Sequence, residues 1–285
     1  MISETTTVPP AGPFTQMLPV HPALREHFAR PHIGFVDGST GQDSWVEYPS
    51  GMVTIIVNVG EAFGGHPSAF VAGLTETHDV IERDGSIECL DLKLTPPGAR
   101  RLLGVPLAEL TGSVVALRDV LGPSADVVTE TFATHSTWNA RARIVDAVLL
   151  RRADGLSGVD RRIEWAWRRI MTRHGMVSIQ GLADEVGWSQ RHFIRSFRRQ
   201  LGLTPHKFAR ITRFNAVLPD LRGGSSDGAS LAAKHGYADQ SHLIREVHEF
   251  TGVTLTSLAA SGRTRVDGGG QFRPIDGSQA AVRST

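Results

Sequence analysis

The sequence predicts an α+β protein, with a β-rich, barrel or cupin-like N-terminal domain that carries a helical appendage. An all-α C-terminal domain with two helix-turn-helix units follows it. Three observations lead there. Short β-branched runs closed by glycine turns fill the first hundred residues, apolar stripes of helical period fill the rest, and one pattern occurs twice between residues 179 and 254. A length of 285 residues suits about two domains.

Taken in order, residues 1–18 hold Pro9, Pro10, Pro13 and three consecutive threonines, and read as a disordered N-terminus. They lack the basic and apolar pattern of a signal peptide, and no apolar run approaches membrane-spanning length. The expectation is a soluble, cytoplasmic protein with no membrane partner. A single cysteine, Cys89, excludes an intrachain disulfide and suits a small buried residue in a strand.

Residues 19–153 form the expected regulatory or ligand domain. Strand candidates are Ile33 to Val36, Met52 to Val59 (closed by Gly60), Ser68 to Gly73, Val80 to Arg83 and Ile87 to Leu94. Asp84-Gly85 reads as a hairpin turn between the last two. Phe35, Trp45, Tyr48, Phe63 and Phe70 are either plain core or the lining of a small-molecule cavity. Helices take over at Pro96-Pro97-Gly98, where proline suits a helix start. Further short helices are read over Val114 to Leu121 and Ala125 to Thr134. The best is Thr137 to Arg152, with Ala140, Ile144, Ala147 and Val148 on one face. Asp154 to Gly158 has linker composition, within a linker placed at 154–159.

Enzyme chemistry finds little purchase. His21, His32, His66 and His78 show no metal-ligand spacing, and no nucleophile elbow, P-loop or dinucleotide fingerprint occurs. No metal, no cofactor and no catalytic residue are expected.

Residues 160–262 hold the duplication. Leu182-Ala183, Gly187-Trp188, His192-Phe193-Ile194-Arg195 and Gly202-Leu203-Thr204 recur as Leu231-Ala232, Gly236-Tyr237, His242-Leu243-Ile244-Arg245 and Gly252-Val253-Thr254. The offset is 49 residues for the first two pairs and 50 for the last two, so the second copy has one extra residue before its histidine. In the first unit, about 179–201, Ile179, Leu182, Ala183 and Val186 make one stripe. Gly187 supplies the turn, Ser189 the N-cap, and Phe193, Phe197 and Leu201 the inner face of the next helix. The second, about 229–251, repeats this with Gly236, Asp239 and the stripe Leu243, Val247 and Phe250. Gln190, Arg191, Arg195, Arg198 and Arg199 stand on the outer face of the first second helix, and Gln240, Ser241, His242 and Arg245 on the other. Such a second helix fits the major groove, where Arg can read guanine and Gln adenine. Charge agrees. Residues 160–262 carry 15 Lys and Arg against 9 Asp and Glu, whereas residues 1–159 carry 11 against 18. A basic half suits a nucleic-acid partner. Residues 263–285, rich in glycine and serine, read as a disordered tail.

Residues 160–260 resemble the DNA-binding domain of the AraC/XylS transcription regulators, most closely over Gly236-Tyr237-Ala238-Asp239-Gln240-Ser241-His242-Leu243-Ile244-Arg245. The resemblance implies seven helices, with a long one over about Pro205 to Leu221 joining the two units. It implies recognition helices in successive major grooves of a double-stranded operator. Position by position it makes Arg191, Ile194, Arg195, Ser241, His242 and Arg245 base-facing. Gln190, Arg198, Arg199, Lys207, Arg210 and Gln240 are expected at the DNA backbone or flanks. RNA polymerase and a small-molecule effector are further partners it implies, and a homodimer through Thr137–Arg152 stands beside the reading of that helix as packed on its own domain. Activation and repression stay open. Val247, His248 and Leu255 depart from the family pattern at positions usually Phe, Lys or Arg, and Pro. Tyr48-Pro49-Ser50-Gly51 and Val71-Ala72-Gly73-Leu74 resemble motifs of an N-terminal domain found on a subset of the family. The alternative is an N-terminal enzyme or repair activity targeted by the DNA-binding domain.

Overall fold

In the computed structural model, residues 14–38, 42–59, 65–153, 158–225 and 227–261 are described. The expected tail at 263–285, Phe63, and most of the predicted N-terminus and linker lie outside them. Among the described residues the N-terminal part holds eight strands: β1 Phe14–Leu18, β2 His32–Asp37, β3 Gln42–Glu47, β4 Val53–Asn58, β5 Ala69–Ala72, β6 Asp79–Asp84, β7 Ile87–Leu94 and β8 Val114–Ala116. Six pair antiparallel in the order β1-β2-β7-β4-β5-β8, and β3 pairs with β6 in a separate ribbon.

The central strands explain why β4 and β7 read as nearly unbroken apolar runs: both of their faces are covered. Val53, Ile55, Val57, Leu90, Leu92 and Leu94 face the main core. Ile56, Ile87 and Cys89 face the other way and join Phe35, Phe70 and Trp45 of the ribbon in a second cluster. Burial pushes the Cys89 thiol well above its usual range. Farther along that face β7 buries charges, with Asp91 bonded to Arg30 at 2.6 Å and Lys93 to Glu47 at 3.0 Å.

Helices cover the main-core side: α1 Pro96–Leu103, α2 Leu107–Leu110, α3 Leu117–Leu121, α4 Ser124–Thr134 and α5 Trp138–Ala153. Four sequence expectations need correction. Phe14–Leu18, expected disordered, is an edge strand registered on β2 from Phe14↔Val36 to Leu18↔His32. Val114–Ala116, expected helical, pairs with β5. The strands flanking Asp84-Gly85 are not hairpin partners, since β6 pairs with β3 and β7 with β2 and β4. Finally, α5 buries Arg141, Ala142, Val145, Asp146, Val148 and Leu149 rather than the Ala140–Ile144–Ala147 stripe. It packs on its own domain through distant charges. His32 Nε2 lies 2.8 Å from Asp146, whose other oxygen accepts the His21 N–H, and Arg141 pairs with Glu88.

Among the described residues seven helices follow, α6 Arg161–Thr172, α7 Ile179–Glu185, α8 Gln190–Leu201, α9 Pro205–Arg222, α10 Gly228–Lys234, α11 Gln240–Thr251 and α12 Leu255–Ser261. The 18-residue α9 joins the two units and buries Phe208, Ile211, Phe214, Val217 and Leu221. The same helix also meets the sheet domain. Tyr48 packs edge-on against Phe214, and the Asn215 side chain donates to the Pro49 carbonyl at 3.0 Å. A Cβ at Gly51, which has φ +70, would touch Phe208 at 3.3 Å. No described helix is long and apolar enough to cross a membrane.

Candidate nucleic-acid interface

The two copies fold alike for local reasons. Helix α7 is capped by the Ser178 hydroxyl and α10 by the Asp227 carboxylate. Each ends on a glycine of positive φ, Gly187 at 71° and Gly236 at 70°. The next aromatic then returns its N–H to the carbonyl five residues back, Trp188 to Ala183 and Tyr237 to Ala232, both at 2.9 Å. Ser189 caps α8 by accepting from the His192 N–H at 3.3 Å, and Asp239 caps α11 by accepting from the His242 N–H at 2.7 Å. The extra residue of the second copy is absorbed before the cap. Ala238 sits between the aromatic and Asp239, and its N–H is accepted by His242 Nδ1 at 3.4 Å.

The inner faces are core: Phe193, Phe197 and Leu201 in α8, and Leu243, Val247 and Phe250 in α11, are all 0% exposed. Val247 is therefore fully packed. Leu255 is buried at the start of α12.

The outer face of α8 carries Arg191, Ile194, Arg195 and Arg198 at positions i, i+3, i+4 and i+7. Together with Gln190, Arg199 and Thr204 they line a groove of about 820 Å³, whose opposite wall is Ala108 of α2. The four arginines are exposed, and among the described residues none has an acidic partner. The C-terminal end of α8 is held against the sheet domain. A Cβ on Gly202 (φ +85) would lie 2.8 Å from Thr111 Oγ1 and 3.0 Å from the Leu107 carbonyl oxygen. Gly202→Ala is therefore expected to destabilise the protein by about 1–3 kcal/mol, from positive φ and steric conflict together. Thermal denaturation checks this, and an unchanged midpoint would contradict the packing.

On α11, Gln240, Ser241, Ile244 and Arg245 are exposed. His242 is not turned outward in the same way. Its ring packs edge-on against Tyr237 with centroids 5.2 Å apart, and its Nε2 stands 3.9 Å from Glu246.

Lys207 and Arg210 also differ from their expected surroundings. Both stand on α9 over the Phe250 ring. Lys207 pairs with Glu249 at 3.0 Å and reaches Glu76 of the sheet domain at 3.8 Å. Arg210 pairs with Glu246 at 2.7 Å and Glu249 at 2.5 Å. Arg210 and Lys207 hold the Glu249 carboxyl below the usual carboxylate range. Arg213 joins the cluster, 3.7 Å from Glu246, over the Tyr237 ring and donating to the Gly236 carbonyl at 3.2 Å. Burial, with Glu246 next to it, pushes the Tyr237 phenol up. Composition shows that these residues are present, but not that the acids of α11 neutralise the cations of α9.

Two capped helix-turn-helix units on a shared linker helix, each turning polar side chains outward from a buried inner stripe, define a double helix-turn-helix domain. Residues 182–261 match the family described as Helix-turn-helix domain. Over 67 residues the chain is 34% identical to YbfI of Bacillus subtilis (strain 168), an uncharacterized HTH-type transcriptional regulator. That alignment takes in 24% of this chain and 24% of YbfI, so the match spans about a quarter of the relative's length. Among solved structures, the C-terminal domain of AraT, a response regulator from Geobacillus stearothermophilus, is similar at a TM-score of 0.34 and 15% identity, over 37% of this chain and 88% of that one. ToxT from Vibrio cholerae O395 is similar at a TM-score of 0.39 and 7% identity, over 89% and 98%. Residues 182–261 thus belong to a helix-turn-helix domain.

Proposed function

We propose that the protein is a sequence-specific transcription regulator that lays α8 and α11 into successive major grooves of one operator. The observation that carries this is the set of exposed arginines without acidic partners on α8, matched by Ser241 and Arg245 at the same distances from the cap on α11. Unneutralised guanidinium groups on one helix face suit an anionic polymer, and their spacing along that face suits base edges. Arg191, Ile194, Arg195, Ser241 and Arg245 take the base-reading roles. Arg198 and Arg199 take phosphates, with Gln190 and Gln240 at the flanks. Lys207 and Arg210 serve the domain from inside, by aligning α9 and α11.

Selection from a random duplex pool with the full-length protein tests this reading. The expected product is two boxes about 10–10.5 base pairs apart, one helical turn. No enriched sequence would overturn it.

The N-terminal domain is proposed to modulate this binding, through an effector or a partner. Support comes from α2, whose Ala108 faces the arginine-lined side of α8. An α-helix with its side chains is about 10–12 Å across and fills a major groove about 12 Å wide, which leaves little room for a neighbour. Ala108→Glu would add a carboxylate opposite those arginines. It is expected to weaken DNA binding about two- to fivefold, the worth of an exposed ion pair, and salt should shrink the difference. Equal affinity of the variant and the parent at low salt would count against α2 as the modulating element.

A further inference from the structure

The two second helices can be aligned by their caps. Counting from Ser189 and Asp239, the second position holds Arg191 or Ser241, the third His192 or His242, the fifth Ile194 or Ile244, and the sixth Arg195 or Arg245. On this alignment the histidines are the same structural part in both units. His192 packs edge-on against Trp188, with centroids 4.5 Å apart at 85°, and its Nε2 lies 3.3 Å from the Ser196 hydroxyl. His242 packs against Tyr237 in the same edge-on manner, at 82°. Its Nδ1 accepts the N–H of Ala238, the residue that the second copy has in excess, and its Nε2 faces the buried Glu246. A base-reading imidazole needs a ring nitrogen aimed at the groove. In His242 the turn engages Nδ1, and Nε2 lies 3.9 Å from Glu246.

The fifth position behaves in the opposite way. Ile244 is 39% exposed. It lies beside Ser241 and Arg245 on the exposed part of α11, whereas Ile194 is partly buried against the main core. A single exposed isoleucine is ordinary on a protein surface. One on the same face and at the same distance from the cap as its counterpart in the other unit is placed for a partner. The apolar feature of a major groove is the thymine methyl group.

We infer that Ile244, and not His242, is the third base-reading side chain of the second unit, through van der Waals contact with a thymine methyl. His242 is a positioning residue that closes the turn by taking the Ala238 N–H. Both units then read DNA with the residues two, five and six places after the cap. This inference rests on the proposed DNA-binding role.

The test uses the full-length protein and the duplex selected by it, with each thymine of the second box replaced singly by deoxyuridine, which removes only the methyl group. One such replacement is expected to weaken binding by the unaltered protein about fourfold, the worth of one buried methyl. Ile244→Ala should bind the thymine duplex about fourfold more weakly and be indifferent to that replacement. His242→Ala should keep the methyl sensitivity while lowering the thermal midpoint, because the Ala238 N–H loses its acceptor. The inference is overturned if Ile244→Ala remains as methyl-sensitive as the parent. It is equally overturned if the second box contains no thymine, or if His242→Ala and not Ile244→Ala changes the selected base. An enriched site with any of these outcomes sinks the inference alone, whereas no enriched site sinks the proposed function with it.

Discussion

Arg195→Ala is expected to cost about 1–3 kcal/mol of binding to the selected operator, a factor of roughly 5–150, and to relax preference at one base of the first box. Arg245→Ala should do the same in the second box. The reason lies in their shared place: both are exposed and stand six residues after their caps, Ser189 and Asp239. Arg199→Ala serves as the contrast. As a phosphate contact it should weaken matched and scrambled duplexes alike and reduce the salt slope by about one unit. Titrations at several salt concentrations on both duplexes measure all three variants. Identical behaviour of Arg195→Ala and Arg199→Ala on the two duplexes would show that the assigned roles are wrong.

Glu246→Ala is expected to cost about 3–5 kcal/mol of folding stability, because it removes the counter-charge of a largely buried cluster. Glu246 is 1% exposed and meets Arg210 at 2.7 Å and Arg213 at 3.7 Å. The Arg213 guanidinium and the Tyr237 hydroxyl also adjoin this carboxylate, so its removal leaves several largely buried polar groups without their counterpart. Arg213 also holds the Gly236 carbonyl, so the damage should spread to the turn before α11. Chemical denaturation and hydrogen exchange of α10 and α11 would show it. Glu246→Gln keeps an acceptor in place and should cost less. A loss below about 1 kcal/mol in the alanine variant would mean that the cluster does not hold α11 to α9.

The helix-turn-helix units were legible because their determinants are local. A stripe such as Phe193–Phe197–Leu201, a glycine at the turn and a Ser or Asp before the next helix each act within a few residues. Strand partners were not legible. Asp84-Gly85 is a sound turn signal, yet β6 leaves the main sheet to pair with β3, and a dipeptide cannot say which strand its neighbours will join. The face of α5 was missed for a similar reason. Arg141 and Asp146 are buried because Glu88 and His32, 53 and 114 residues away, meet them there.

The Tyr48-Pro49-Ser50-Gly51 and Val71-Ala72-Gly73-Leu74 stretches are a case between. The sequence marked them without a role. Folding brings the first against Phe214 and Asn215 of α9. It brings the second against α2 and the end of α8, where Leu74 lies 3.0 Å from a Cβ on Gly202. They form the junction between the two domains.

By itself, then, the sequence determined the two units, their caps and turns, and which helix faces look outward, since period and capping are set by neighbours along the chain. Only the tertiary structure decided which outward groups are free. Lys207 and Arg210 find acidic partners on α11 and His242 accepts the Ala238 N–H, whereas among the described residues Arg191, Arg195 and Arg245 have no acidic partner. Partnership between distant residues is set by packing, and no local pattern encodes it.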